Sequence, residues 1–165
     1  MVVDRQHRRT PYIRPRNQRL GRELYATAGH VCFFTIGAHA RTVPFTSPQL
    51  KDVTIAILLA ERERMGMELY AYCLMPDHLH ILVSPKKQGC CMLAFVDQFK
   101  GKSTNASWQH GWQGKLWQKR SYDHLVRSPE ELLSIATYIL DNPVRDGLVE
   151  TYDDYRWAGM PDPMP

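Results

Sequence analysis

The sequence predicts an α+β fold of the ferredoxin-like kind: an antiparallel sheet built in the order βαββαβ, with one helix added at the C-terminal end. Three observations lead there. Runs rich in β-branched and aromatic residues lie at 30–40, 67–75 and 78–85, and such runs read as strands. Stretches with helical spacing separate and follow them. Pro76-Asp77 is a turn signal that makes the second and third runs a hairpin. Strand, helix, two strands, helix, strand is the order of a sandwich with its helices on one face of the sheet.

Each element has its own grounds. HVCFFTIGAHA, 30–40, has strand composition and no helical period. In TSPQLKDVTIAILLAERERMG, Ser47 can cap a helix and Pro48 suits its first position. Leu50, Val53, Ile57 and Ala60 then recur along one face until Gly66 stops it. MELYAYCLM, 67–75, and HLHILVSP, 78–85, are the hairpin strands. A second helix is expected from Cys90 to about Ala106, with Leu93, Val96 or Phe99 inward and Lys100 and Lys102 near its end. The glycines and tryptophans of WQHGWQGKLWQKRSYDHLV indicate a loop, then a strand around 116–126. Ser128-Pro129-Glu130-Glu131 is a capping box. It opens a last helix that ends by Asn142, because the residue before Pro143 disfavours the α region.

A chain of 165 residues suits one domain. Composition divides it into a basic arm at 1–22, a folded domain at 23–160 and a tail at 161–165. The arm holds seven arginines against one aspartate, whereas the rest carries 14 basic and 16 acidic side chains. A cationic arm on a near-neutral body suggests a polyanionic partner, although a merely solvated tail would carry the same charge. Arginine, with Tyr12 among the seven, favours nucleic acid through bidentate phosphate contact and stacking. No apolar run approaches the roughly 18 residues of a membrane span, and no apolar segment follows the basic start as in a secretory leader. A cytoplasmic, nucleoid-associated protein is expected. Cys32, Cys73, Cys90 and Cys91 lack C-x-x-C spacing, which argues against a disulfide framework or a thiolate zinc site.

The chemistry centres on His78 and His80. Residues two apart in a strand share a face, so both imidazoles project together while Leu79, Ile81 and Val83 face the core. Two imidazoles so placed can reach one cation, or can be two hydrogen-bonded histidines at a strand edge. In the last helix Tyr138 and Asn142 are four apart and share a face. Asn142 could offer a carbonyl oxygen to a divalent cation or cap the helix. Tyr138 could be a nucleophile or ordinary packing. Spacing alone does not join residue 80 to residue 138.

YCLMPDHLHILV, at 72–83, and YILDNPVRDGLV, at 138–149, taken together resemble the REP-associated tyrosine transposases, a branch of the single-tyrosine HUH transposases. HUH denotes His, a hydrophobic residue, His, here His78, Leu79 and His80. The resemblance runs from about 25 to 157 and includes FKGKST at 99–104, LWQKRSYDHLVR at 116–127 and YRW at 155–157. It implies that Tyr138 is the nucleophile, His78 and His80 are metal ligands, and Asn142 is the third. Mg²⁺ or Mn²⁺ is the implied cofactor, and a 5′-phosphotyrosine is the implied intermediate. Asp77 and Asp146 stand where the family more often has Asn and Ala, and both are expected to be surface-turn changes without effect on the chemistry.

The implied substrate is single-stranded DNA with a hairpin, drawn from repetitive palindromic elements. Arg8, Arg9, Arg14 and Arg16 of the arm, with Lys100, Lys102, Lys119 and Arg120, are the expected phosphate contacts. Trp112 or Trp117 could stack on bases, though Trp117 fits core packing better. His124 is a candidate supporting group for the metal or for Tyr138, or a buried histidine. No nucleotide cofactor is expected, since GKST at 101–104 lacks the upstream glycine of a phosphate loop. Monomer and homodimer both remain open. Three rivals stand beside this reading: a domesticated binder of repeat DNA that does not cut, a metal-dependent phosphodiesterase using water, and an RNA-binding module. HLHILV lacks the aromatic residues the last would need.

Overall fold

Two serines start the helices that matter most. Ser47 Oγ accepts from the Leu50 N–H at 3.3 Å, and Pro48 takes the first position of α1 (Pro48–Arg64). Ser128 Oγ likewise accepts from the Glu131 N–H at 3.1 Å and opens the third helix (Pro129–Leu140). Each cap satisfies a backbone donor that the first turn would leave unpaired. The computed structural model describes residues 19–165, so Arg8, Arg9, Arg14 and Arg16 lie outside the described residues.

The expected strands are β1 (Cys32–Gly37), β2 (Met67–Leu74), β3 (His78–Pro85) and β4 (Tyr122–Leu125). The helices are α1, α2 (Met92–Gln109) and α3 (Pro129–Leu140). Two short elements escape the sequence reading: α4 (Asn142–Arg145), one turn just past α3, and β5 (Ala158–Gly159). The strands form one antiparallel sheet in the order β4-β1-β3-β2-β5. The ferredoxin-like α+β prediction therefore holds.

The two sandwich helices, α1 and α2, share one face of the sheet as predicted, and the added helix α3 takes the other. Phe34, Ile36, Leu79, Ile81 and Val83 pack with α1 and α2, whereas Ala71, Cys73, Met75 and Leu82 pack with Leu132, Ala136 and Ile139 of α3 on the opposite side. The cause is visible in β2 and β3, whose outer face carries Ala71, Cys73 and Leu82, so a second layer must cover it. Burying a Leu or Ile side chain contributes about 1.5–3 kcal/mol, and Leu132 and Ile139 fix α3 in this way.

The C-terminal stretch clasps the edge of the sheet. Tyr155 Oη donates to the Leu74 carbonyl at 2.7 Å, and the Leu74 N–H donates to the Trp157 carbonyl at 2.9 Å. Lys51 Nζ lies 3.9 Å from the centre of the Trp157 ring. Beyond β5, the carboxylate of Asp162 receives Arg62 through two bonds of 2.7 and 2.8 Å. YRW at 155–157 is thus structural. All four cysteines are free. No helix among the described residues is long and apolar enough to cross a membrane.

Candidate active site

Alternation along β3 places Leu79, Ile81 and Val83 beneath α1 and α2, which leaves His78 and His80 on the side of α3. His80 is only 4% exposed. Its Nε2 stands 3.1 Å from Nε2 of His78. The other nitrogen of each ring is held from behind. His78 Nδ1–H donates to Asp77 Oδ1 at 2.6 Å, and His80 Nδ1 is 2.9 Å from Thr35 Oγ1, which the antiparallel register sets directly opposite. A carboxylate only accepts, so Nδ1 of His78 carries a proton, and in the neutral ring Nε2 is the nitrogen left to act as acceptor or ligand. The Thr35 hydroxyl can donate or accept, so it suits His80 in either tautomer. Burial, then the neighbouring His78 and Arg145, push the His80 pKa well below the ordinary imidazole value. The bond from His78 lowers the pKa of Asp77.

Tyr138 reaches this pair from the other layer. Its ring centre is 5.6 Å from that of His80 and 6.1 Å from that of Phe33, which it meets edge-on. The side chain is 42% exposed, so Tyr138 is not ordinary core packing. The Arg145 guanidinium lies 4.0 Å from the centre of the Tyr138 ring, and Nη2 donates to the Tyr138 carbonyl at 3.4 Å. Asn142 does not cap α3, a place taken by Asp141. Its Nδ2 instead donates to the Tyr138 carbonyl at 3.2 Å, which leaves Oδ1 as the amide atom able to serve a cation.

His78, His80, Tyr138 and Asn142 line one cleft of about 1240 Å³, with Arg19, Arg41 and Arg120 around it. Arg41 follows Ala40, and both hold positive φ, 57° and 52°. A left-handed conformation costs a non-glycine residue roughly 1–2 kcal/mol.

Residues 30–142 match the family described as "Transposase IS200 like". The chain belongs to this family. Among curated relatives of this transposase is a Haemophilus influenzae protein, provisionally named a REP-associated tyrosine transposase, 27% identical over 144 residues and covering 81% of each chain. The REP-associated tyrosine transposase of Escherichia coli K12 is 24% identical over 134 residues, covering 81% of this chain and 78% of that one. The solved structure of a REP-associated tyrosine transposase bound to a REP hairpin superposes with a TM-score of 0.70 at 21% identity, over 81% of this chain and 78% of the other. Recognition of the sequence as this kind of transposase is borne out.

Other expected site residues of the transposase fall differently. Arg120 lines the cleft, but Lys100, Lys102 and Lys119 do not. Lys102 is paired with Glu61 of α1, and Lys100 Nζ donates to the Lys119 carbonyl at 3.0 Å. Lys119 faces a separate hollow beside His39 and Lys115. Trp117 is core, its Nε1–H donating to Ser103 Oγ at 2.8 Å, and Trp112 packs partly against the same core. His124 does not line the cleft. Its Nε2 bonds Glu131 Oε1 at 2.5 Å, where Oε2 of the same carboxylate accepts the Arg127 N–H at 2.6 Å. His124 therefore ties β4 to the first turn of the helix that carries Tyr138. Asp77 sits in the exposed turn between β2 and β3 as expected, and from there its carboxylate also orients His78.

The donor set of the transposase can be tested against a metal. Among the described residues no cluster of three or more His, Cys, Asp or Glu could hold one, so a cation at the imidazole pair would add a neutral oxygen such as that of Asn142. Two nitrogens converging within 3.1 Å, each ring braced at Nδ1, is the outer-shell pattern of histidine ligands. The Asn142 oxygen adds a hard donor. Such a mixed set fits Mn²⁺ and admits Mg²⁺. Removing an outer-shell partner commonly weakens metal affinity about 10–100-fold. Asp77→Ala is expected to weaken Mn²⁺ binding by that amount in calorimetry, with Asp77→Asn, which keeps an acceptor, closer to wild type. Unchanged affinity in Asp77→Ala would show that His78 needs no orienter.

Proposed function

We propose that the chain is a single-stranded DNA endonuclease and strand transferase that cuts and rejoins DNA through Tyr138 at hairpin-forming repeat elements. The observation that carries this reading is the half-exposed phenol of Tyr138 beside His80 in one cleft, its ring 5.6 Å from the imidazole. The phenol oxygen bonds to phosphorus, the bond from phosphorus to the 3′ oxygen breaks, and the phenolic proton passes in net to that oxygen. The products are a 5′-phosphotyrosine and a free 3′-hydroxyl. Because one diester replaces another, rejoining needs no nucleotide cofactor.

His78, His80 and Asn142 would hold a divalent cation, Mn²⁺ or Mg²⁺, which when bound supplies Lewis-acid stabilisation of charge on a phosphate oxygen. Phe33 and Arg145 fix the orientation of the Tyr138 ring. Arg120 and the arm arginines draw in the backbone. Proteins named REP-associated tyrosine transposases stand among its relatives, one of them solved on a REP hairpin, which supports hairpin DNA as the partner. His78, His80, Tyr138 and Asn142 line one cleft of a single chain, which supports action as a monomer, with a homodimer as the alternative. A nucleoid-associated, cytoplasmic location follows from such a substrate.

The test is direct. Labelled single-stranded DNA with an imperfect palindrome is incubated with the protein and Mn²⁺, denatured and run on a gel. A covalent protein–DNA band is expected. Cleavage without any band would favour a phosphodiesterase using water, and binding without cleavage a silent binder. Arg145 offers a finer check. A cation over an aromatic ring contributes about 0.5–2 kcal/mol, so Arg145→Ala should slow adduct formation about 2- to 30-fold. Arg145→Lys should recover part of the loss in single-turnover assays.

A further inference from the structure

We infer that Arg41 is a preset phosphate-binding residue, which grips a backbone phosphate of the single strand next to the one being cut. The inference rests on the functional reading above and extends it to a residue outside both transposase motifs. Ala40 and Arg41 are consecutive non-glycine residues at positive φ. Glycine would adopt that geometry at no steric cost, so a turn serving only to reverse the chain has no use for arginine there. Strain of this kind persists only where the surroundings over-determine it, and it gathers at ligand clamps.

The surroundings here are the hairpin turn that ends at His78. The Ala38 N–H donates to the Asp77 carbonyl at 2.8 Å, and the Phe45 N–H donates to the Pro76 carbonyl at 3.1 Å. Inside the loop, Thr42 Oγ1 and Thr42 N–H both donate to the His39 carbonyl, at 2.7 and 3.0 Å. The His39 N–H is taken by the Leu116 carbonyl at 2.9 Å. The loop is thus indexed to the same two residues that place and orient His78. Arg41 lines the cleft with His78 and His80, and among the described residues no carboxylate forms an ion pair with it. Gly37 and Ala38, the residues that lead into this loop, line the same cleft. The ligand class is the phosphodiester of single-stranded DNA, and the contact carries no base specificity.

The experiment measures binding of the full chain to a fluorescein-labelled hairpin with a single-stranded flank, and to the same hairpin without the flank, by anisotropy across a salt series. One phosphate contact to a single strand contributes about 0.7 to the slope of log affinity against log salt. Arg41→Ala and Arg41→Gln are expected to weaken binding of the flanked hairpin several-fold and to flatten the slope by about that amount. The blunt hairpin should show neither change. Arg41→Lys should keep the slope, and Lys87→Ala, at the far end of β3, should match wild type. Wild-type slope and affinity in both neutral variants, with thermal melts showing them folded, would overturn the inference while leaving the transposase reading intact. An equal loss on the blunt hairpin would also overturn it, by moving the contact to duplex DNA. Absence of wild-type binding to either probe would instead sink the functional reading, and this inference with it.

Discussion

Tyr138→Phe is expected to abolish the covalent protein–DNA band and to lower strand cleavage below detection, with hairpin binding changed by no more than about twofold, since one exposed hydroxyl contributes little to a phosphate-dominated complex. The reason is that the substitution removes only the oxygen proposed to attack. The ring keeps its edge-on contact with Phe33 and its place beside His80. The side chain is 42% exposed, so the folded state should lose less than about 0.5 kcal/mol, the usual range at the surface. Cleavage and binding should therefore separate cleanly, which a destabilised variant could not do. A surviving band would move the nucleophile to Tyr122, the other phenol lining the cleft. Surviving cleavage without a band would replace the covalent route by hydrolysis.

His80→Ala should have the second largest effect. The variant would lose a proposed metal ligand and, because His80 is 4% exposed beside Phe33 and Tyr138, would also open a void under the proposed nucleophile. Lewis-acid stabilisation is worth several kcal/mol, so cleavage should drop by at least about 10³-fold. Calorimetry should show Mn²⁺ binding lost, and the melting temperature should fall by several degrees. Unaltered Mn²⁺ affinity would remove His80 from the ligand set. The ring also has a pH signature. Its folded pKa is lowered, so below about 6.5 the unfolded chain takes up a proton there more readily than the folded one. The wild type should therefore lose stability as pH falls below that value, and His80→Ala should lose less of it.

What the sequence made legible was local. Ser47 and Ser128 announced α1 and α3 because caps act within three residues. The alternation of His78 and His80 with Leu79, Ile81 and Val83 fixed which way the imidazoles face. What stayed hidden was tertiary. Thr35 meets His80 across 45 positions of sequence, and only the strand register makes them neighbours. Arg145 stands seven residues after Tyr138, two helical turns on, yet nothing in the residue types shows that α4 turns its guanidinium back onto the phenol. Lys102 looked like a DNA contact because charge was all the sequence offered. Its partner Glu61 lies on another helix. The passage of α3 to the opposite face could have been inferred from the two-sided hydrophobicity of β2 and β3, a signal present in MELYAYCLM and HLHILV.

The two layers of the site also set an order in time. Synthesis from the amino end delivers both imidazoles with the hairpin, well before the phenol and the amide that follow on α3 and α4. A nascent or prematurely ended chain would hold half of the proposed cation pocket and lack the proposed nucleophile, while the apolar back of its sheet would lack the cover of α3. The proposed competence to cut DNA thus arrives together with the segment that shields Leu82 and Cys73 from water, so an unfinished copy would be sticky before it could be dangerous.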